Sequence, residues 1–368
     1  MRVARYDYAA QFGPGIDDIG RALRHALLEG QYGVDCDVAA FEREFAGYVG
    51  VAHGRGVNSG TDALRLALMA IGVGSGDEVV TQANTFHATV AAIVLSGATP
   101  ILVDADPQSF LIDVAQVAER IGPRTTVLLP VHLYGKMTPL AGLVALAQEH
   151  RLAIVEDAAQ AHGARDAHGH RAGSLGLAGC FSFHPSKNLA GAGDGGMVVT
   201  DDDGVAEQLL RLRALGQRRQ NDHVVVGLNS KLHALQAIVL RAKLPRLDDW
   251  NARRRQLARA YRAALDECPV GFQAVEAGEE HVFHLFQIRT PRRDALLAHL
   301  RTAGIDAVVR FPVAVHRQPA FADRGWRQGE FPIAEALAQE LLCLPLHPAM
   351  GQAELDYVVT HVREFFRV

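Results

Sequence analysis

Apolar residues recur at helical spacing in IDDIGRALRHALLEG, a stretch that ends on Gly30, and again in FEREFAGYVG, which Gly50 closes. From about position 57 the rhythm changes. Short apolar runs (EVVTQ, TPILVDA, TVLLPVHLYG, LAIVEDAA) alternate with helical stretches such as TDALRLALMAIG, HATVAAIVLSG and LAGLVALAQEH. That alternation predicts a mostly parallel sheet whose strands are joined by crossover helices. The charged stretch LPRLDDWNARRRQLARAYRAALDE predicts one long connecting helix with its run of arginines on a solvated face. Beyond it, VFHLFQIRT and AVVRFPV predict strands on either side of the helix RDALLAHLRTAGI. The expected fold class is α/β, with an N-terminal arm and large domain over residues 1–245 and a connecting helix with a smaller α+β domain over 246–368. No repeat interrupts the pattern, which excludes a solenoid.

Charge and cysteine usage narrow the chemistry. Among 368 residues, 37 basic and 41 acidic side chains leave a net charge of −4 with no basic block, so nucleic acid is not an expected partner. The opening residues lack the apolar core of a signal peptide and no apolar run reaches the roughly 20 residues that span a bilayer, so no membrane association and a cytoplasmic location are expected. Cys36, Cys180, Cys268 and Cys343 are scattered without a CxxC pair and are expected to be buried, reduced thiols. No metal site is expected either: the densest histidine group, His162, His168 and His170, lies in a Gly-rich turn with no second carboxylate at a zinc-like spacing. GAGDGG precedes a strand and not a helix, unlike a dinucleotide fingerprint.

The chain prefers arginine, and its segment FSFHPSKNLAGAGDGGMVVT holds a single lysine, Lys187, between a proline-serine pair and a run of glycines. Parallel sheets bind ligands beyond the carboxyl ends of their strands, and four such ends carry polar residues. Gly60 and Thr61 open a helix whose N–H groups suit a phosphate, or else Ser59 or Thr61 simply caps it. Asp157 ends an apolar run beside Glu156, either as a cap or as a buried carboxylate that keeps a pyridine nitrogen protonated. Phe86 follows a third run, as core filler or as a stacking surface for a flat ring. Ser182 and Lys187 follow a fourth, the hydroxyl placed to hold a phosphate and the amine, if desolvated, a usable nucleophile and base. In combination they predict a pyridoxal 5'-phosphate site.

The segments NSGTDALRLAL, TFHATVAAI, PVHLYGK, VEDAAQAHGA, SFHPSKNLAGAGDGGMVVT, GLNSKLHALQAIVLRAKLPRLDDWNARRR, VFHLFQIR, and FPVAVHRQPAF with CLPLHPAM resemble the successive motifs of the DegT/DnrJ/EryC1/StrS aminotransferases. The resemblance implies a fold-type I, aspartate aminotransferase-like enzyme with a seven-stranded-type sheet, usually a homodimer with shared sites. It implies amino transfer from glutamate to a nucleotide-linked keto-deoxysugar, carried by dTDP, in deoxyaminosugar biosynthesis for an antibiotic or polysaccharide. Carried over by position, Lys187 is the Schiff-base lysine, Asp157 pairs with the ring nitrogen, Phe86 stacks on the ring and Gln160 touches its phenolic oxygen. Gly60, Thr61 and Ser182 hold the phosphate, and Asn229 reaches the phosphate of the neighbouring subunit.

The resemblance places the segment of Phe311 and His316 toward the sugar, Phe311 standing where many relatives have a tyrosine and His316 either donating to the sugar or its pyrophosphate or serving as a satisfied structural histidine; Leu228 and His233 also depart from the common pattern. Arg218 and Arg219, in a polar loop, are candidates for a substrate phosphate, ahead of the arginine run of the connecting helix. A cyclitol aminotransferase would share every cofactor residue, and a non-catalytic pyridoxal phosphate-binding regulator is a further alternative. A sugar dehydrase is disfavoured, because those relatives carry histidine where this chain has Lys187.

Overall fold

The computed structural model describes residues 1–33 and 36–368. Seven strands, β1 (His53–Val57), β2 (Glu78–Gln82), β3 (Thr99–Val103), β4 (Thr125–Leu129), β5 (Ala153–Asp157), β6 (Ala178–Ser182) and β7 (Gly196–Thr200), form one sheet in the order β1-β7-β6-β5-β4-β2-β3. Only β7 runs against its neighbours. Because β7 opposes both β1 and β6, the carboxyl ends of β1, β2, β5 and β6 all reach the same edge.

Side chains alternate across the sheet with the period of two that extended backbone imposes. Val79, Val127 and Leu129 pack on the layer that holds helices Gly60–Ala70 and His87–Leu95. Val80 and Leu128 pack on the opposite layer, against helices Cys36–Val49, Leu140–His150 and Ala234–Lys243. Both faces are thus covered, and β2, β6 and β7 are buried along their whole length.

A hairpin of β8 (Gln217–Arg219) and β9 (Asp222–His223) projects before the connecting helix. The C-terminal region forms its own antiparallel sheet of β10 (Gly271–Phe272), β11 (Phe286–Arg289) and β12 (Leu341–Leu344). Its separate core takes Leu257 and Tyr261 from helix Leu247–Ala264, Leu296 and Leu300 from Arg293–Thr302, and Leu355, Val358 and Val362 from Gln352–Phe366. Among the described residues no helix is long and apolar enough to cross a membrane.

Four sequence expectations need correction. AVVRFPV is not a strand: it makes one isolated bridge, Val308 to Cys343, and Pro312 has no N–H to continue a ladder. The third strand is LLCL, β12, hidden from pattern reading because it follows helix Pro332–Glu340 directly and all four residues are buried. The connecting helix begins at Leu247, after a 3-10 turn at Leu244–Arg246 that contains Pro245. Its arginines do not form one solvated face: Arg253 and Arg255 are partly buried, and Arg254 is buried and donates to the carbonyls of Phe283 (3.1 Å) and Leu346 (3.0 Å). Finally, Cys36 is exposed, whereas the other three cysteines are buried as expected and all four are free.

One buried ion pair ties β1 to its surroundings. Arg213 bonds Glu42 and donates to the Gly56 carbonyl at 2.8 Å, while Glu42 accepts the Gly56 N–H at 2.8 Å. Substituting Arg213→Met leaves Glu42 buried without its cation, and urea denaturation is expected to show a loss of about 3–5 kcal/mol.

Candidate active site

At the shared strand edge lies a cavity of about 400 Å³ lined by Gly60, Thr61, Phe86, Asp157, Gln160, Ser182, Lys187 and Phe311, together with residues including Ser59, His184, Asp194, His284 and Arg310. The phosphate-type end is built by close approach. A Cβ on Gly60 would sit 2.6 Å from Ser182 Cβ, so only glycine lets the start of helix Gly60–Ala70 meet the end of β6. Ser59 caps that helix by accepting from Asp62 N–H at 3.1 Å, and its carbonyl takes the Ala63 N–H. Among the described residues the N–H groups of Gly60 and Thr61 find no partner within the chain, which leaves donors and the positive helix end facing the cavity.

At the end of β5 two adjacent carboxylates point to opposite faces. Glu156 is fully buried and accepts from His132 Nε2 (2.7 Å) and from the N–H groups of Gly173 (2.8 Å), Leu175 (2.8 Å) and Gly176 (2.6 Å). Burial works against its charge, but His132 and those N–H groups hold it below the usual carboxylate range. Asp157 faces the cavity, with Thr89 Oγ1 (2.8 Å) and the Ala159 N–H (3.1 Å) bonded to its two oxygens. Burial pushes Asp157 upward, against the pull of Thr89, Ala159 and the Lys187 ammonium.

Lys187 keeps part of its surface open to the cavity, and burial lowers its amine to about 8, with Asp157 opposing that shift and Arg310 adding to it. A lysine in this state supplies a neutral amine near neutrality. Gln160 is oriented by its Oε1, which accepts the Tyr134 N–H at 2.8 Å and so leaves its amide donors for a ligand. Phe86 is half exposed toward the cavity and lies 5.9 Å from Phe311, which in turn is 6.0 Å from Tyr134. A carboxylate, an amine, an aromatic wall and a cradle of N–H and hydroxyl donors suit the ring and phosphate of pyridoxal phosphate.

Other expected residues are not brought into this cavity. Arg218 and Arg219 stand on the exposed hairpin and pair with Asp222 at 2.8 and 3.3 Å. Asn229 is exposed and accepts from Lys231 Nζ at 2.6 Å. His316 is buried, its Nε2 bonded to Glu335 at 2.9 Å. Sequence reasoning had passed over His184, Asp194, His284 and Arg310, although all four fall inside or beside the motif segments and Arg310 immediately precedes Phe311.

Two of the remaining lysines are occupied elsewhere. Lys136 is buried against Glu279 (2.9 Å) and the Ala274 carbonyl (2.8 Å), and Lys243 donates to the Ala190 carbonyl at 3.0 Å. The histidine group of the Gly-rich turn is dispersed: His162 is fully buried, while His168 and His170 are exposed. Among the described residues the one group with metal-ligand proximity is His299, His361 and Glu364, none of which lines the cavity.

The profile of the DegT/DnrJ/EryC1/StrS aminotransferase family matches residues 16–363. The chain is 42% identical over 365 residues to the dTDP-3-amino-3,4,6-trideoxy-alpha-D-glucose transaminase of Streptomyces venezuelae, across 99% of this chain and 96% of that one. It is also 42% identical over 357 residues to the UDP-N-acetyl-3-dehydro-alpha-D-glucosamine 3-aminotransferase of Acidithiobacillus ferrooxidans, across 97% and 96%. Its fold matches the crystal structure of S. venezuelae DesV in complex with a ketimine intermediate, with a TM-score of 0.97 and 42% identity over 100% of this chain and 99% of that one.

The amine's depressed affinity for protons can be read directly. In cofactor-free protein, acetic anhydride labelling of Lys187, followed by mass spectrometry, is expected to be half-maximal near pH 8, because only the neutral amine attacks. Asp157→Asn removes the charge that supports the ammonium, so the midpoint is expected to move down. An ordinary lysine midpoint above 10 would show that the amine is not desolvated.

Proposed function

We propose, for a chain that belongs to the DegT/DnrJ/EryC1/StrS aminotransferase family, that it transfers an amino group from glutamate to a keto-deoxysugar carried on dTDP. The cofactor is pyridoxal phosphate. When bound, it supplies an aldehyde that takes up an amine and a protonated ring that draws electrons from the neighbouring carbon. The observation that carries the reading is the enclosure of Lys187 with buried Asp157 in one cavity that the closely packed Gly60 and Ser182 also line.

On this reading, Gly60, Thr61 and Ser182 hold the phosphate, Phe86 stacks on the ring and Gln160 donates to the ring oxygen. Asp157 holds a proton at the ring nitrogen; its contacts to Thr89 and Ala159 fix the carboxylate for that task. Lys187 Nζ anchors the aldehyde and, once displaced, takes the proton from the donor's α-carbon and returns it on the other side of the reaction. Phe311 lines the same cavity and on this reading contacts the sugar.

The nucleotide reading is supported by the full-length likeness to a dTDP-sugar transaminase. A homodimer is supported by apolar side chains left open on one arm: Val226 is 89% exposed, and Val224, Val225 and Leu215 beside it are open too. That arm also carries Arg218, Arg219 and Asn229, which on this reading reach the cofactor and substrate phosphates of a second copy. An open groove lined by Asn58, Ser59, Asp194, Lys231, His233 and Gln236 joins the cavity edge to the same segment.

Borohydride reduction of the holoenzyme and peptide mapping are expected to place the cofactor on Lys187; label on Lys136, Lys231 or Lys243 overturns the assignment. In the same protein Asp157→Asn is expected to lose several orders of magnitude in kcat with a smaller loss of cofactor binding, and a panel of keto-sugars on dTDP, UDP and GDP is expected to favour dTDP. Turnover confined to inososes would instead identify a cyclitol aminotransferase.

Composite sites are tested by complementation. Inactive Lys187→Ala protein mixed with inactive Asn229→Asp protein is expected to regain activity as subunits exchange, since one site of each mixed dimer draws both residues from intact copies. Demonstrated exchange without recovered activity would separate Asn229 from the site.

A further inference from the structure

Lys187 is followed by Asn188, and from Asn188 a line of side-chain amides runs to the connecting helix with a polarity that its two ends dictate. The carbonyl of His162 can only accept, so Asn251 gives it an Nδ2 hydrogen at 2.8 Å. Asn251 Oδ1 then accepts from Asn188 Nδ2 at 2.9 Å, and Asn188 Nδ2 spends its other hydrogen on the Val282 carbonyl, also at 2.9 Å. With both its hydrogens used, Asn188 can meet His284 only as an acceptor: His284 Nδ1 lies 3.3 Å from Asn188 Oδ1 and must carry the proton. The tautomer follows without any choice of amide orientation. In the neutral ring, Nε2 is left with a lone pair.

Backbone packing fixes where that ring sits. The turn Leu133–Gly135 presses on the segment 282–285: Gly135 has φ +103°, and a Cβ there would lie 2.8 Å from His284 N. The Gly135 carbonyl takes the Val282 N–H at 2.9 Å and the Tyr134 carbonyl takes the Leu285 N–H at 3.2 Å. His284 is 3% exposed and lines the same cavity as Lys187. The titratable groups around it are Lys187, Arg254, Arg310 and His162; burial first, and then these neighbours, keep it well below the usual imidazole range. The ring is therefore an acceptor set among donors.

We propose that His284 is a positioning residue for Lys187, a neutral imidazole held by Asn188 so that its Nε2 lone pair accepts from the lysine Nζ inside the cavity. Arg310 also lines the cavity, but it lies outside the amide line, whereas Asn188 follows Lys187 in the chain and bonds His284 directly. The acceptor would aim the freed amine each time it leaves the cofactor and returns. This rests on the reading of Lys187 as the cofactor lysine.

The test uses the cofactor-free full chain, with Lys187 acetylation followed against pH and Lys231 as internal reference. An acceptor favours the ammonium over the amine. Removing it in His284→Asn, which keeps a group toward Asn188 but none at the ε position, is expected to lower the Lys187 midpoint by about one pH unit, tenfold in the charged-to-neutral ratio. His284→Gln restores an acceptor at the ε position and is expected to return the midpoint close to that of the parent. A midpoint unchanged in His284→Asn, or raised as water enters the space vacated, overturns the proposal. Should that variant fail to fold, Asn188→Ala frees the tautomer and is expected to shift the midpoint in the same downward direction; no shift there overturns the proposal equally. Because no turnover is measured, a negative result leaves the cofactor assignment standing, and borohydride label on another lysine leaves the titration readable.

Discussion

A carboxylate kept charged inside a protein must be surrounded by donors, and Glu156 meets that demand with one imidazole and three backbone N–H groups drawn from two different loops. The consequence reaches its neighbour. Successive residues of a strand face opposite ways, so pinning Glu156 beneath the sheet fixes Asp157 above it. His132, whose Nδ1 is taken by the Thr138 N–H at 3.0 Å, is itself held by the loop that follows β4. That loop continues into the turn that orients Gln160 and presses against His284. Asp157, Gln160 and His284 are thus all tied to one buried acceptor.

Two carboxylates side by side in sequence are pushed in opposite directions by their surroundings. Glu156 is saturated with donors and held low, while Asp157 has two donors and is raised by burial. A cationic partner in the cavity has an evident place to go: beside the carboxylate whose charge is not yet fully compensated. The same burial lowers Lys187, so one desolvated space makes the amine more reactive and the acid more demanding of a positive neighbour.

Much of this could be read in the sequence, and the failures have physical causes. The parallel sheet was legible because buried strands and amphipathic helices alternate cleanly, and Gly60, Asp157, Ser182 and Lys187 were legible because each stands where an apolar run stops. Strand β12 was not, since four apolar residues directly after a helix have no period of their own. Arg254 was misread for a related reason: a run of charges reads as solvated unless one knows that its carbonyl partners, Phe283 and Leu346, are brought in from far along the chain. His284 and Arg310 needed the fold, because their segments reach the cavity only once the C-terminal sheet packs beside the turn at Leu133–Gly135. The residues on the exposed arm are outside the cavity in a single chain, so their role could be read only by resemblance.

An aldehyde cofactor is promiscuous toward amines, and the lysine economy of this chain bears on that. Of four lysines, Lys136 and Lys243 are buried and bonded to carbonyl oxygens, and Lys231 is engaged by Asn229, while arginine, which does not compete as an amine, supplies the remaining basic charge. An incoming aldehyde therefore meets few rival nucleophiles before it reaches Lys187. Loading of the cofactor becomes selective by scarcity of competitors as well as by fit, and a surface poor in lysine protects both the cofactor and the protein from stray condensation.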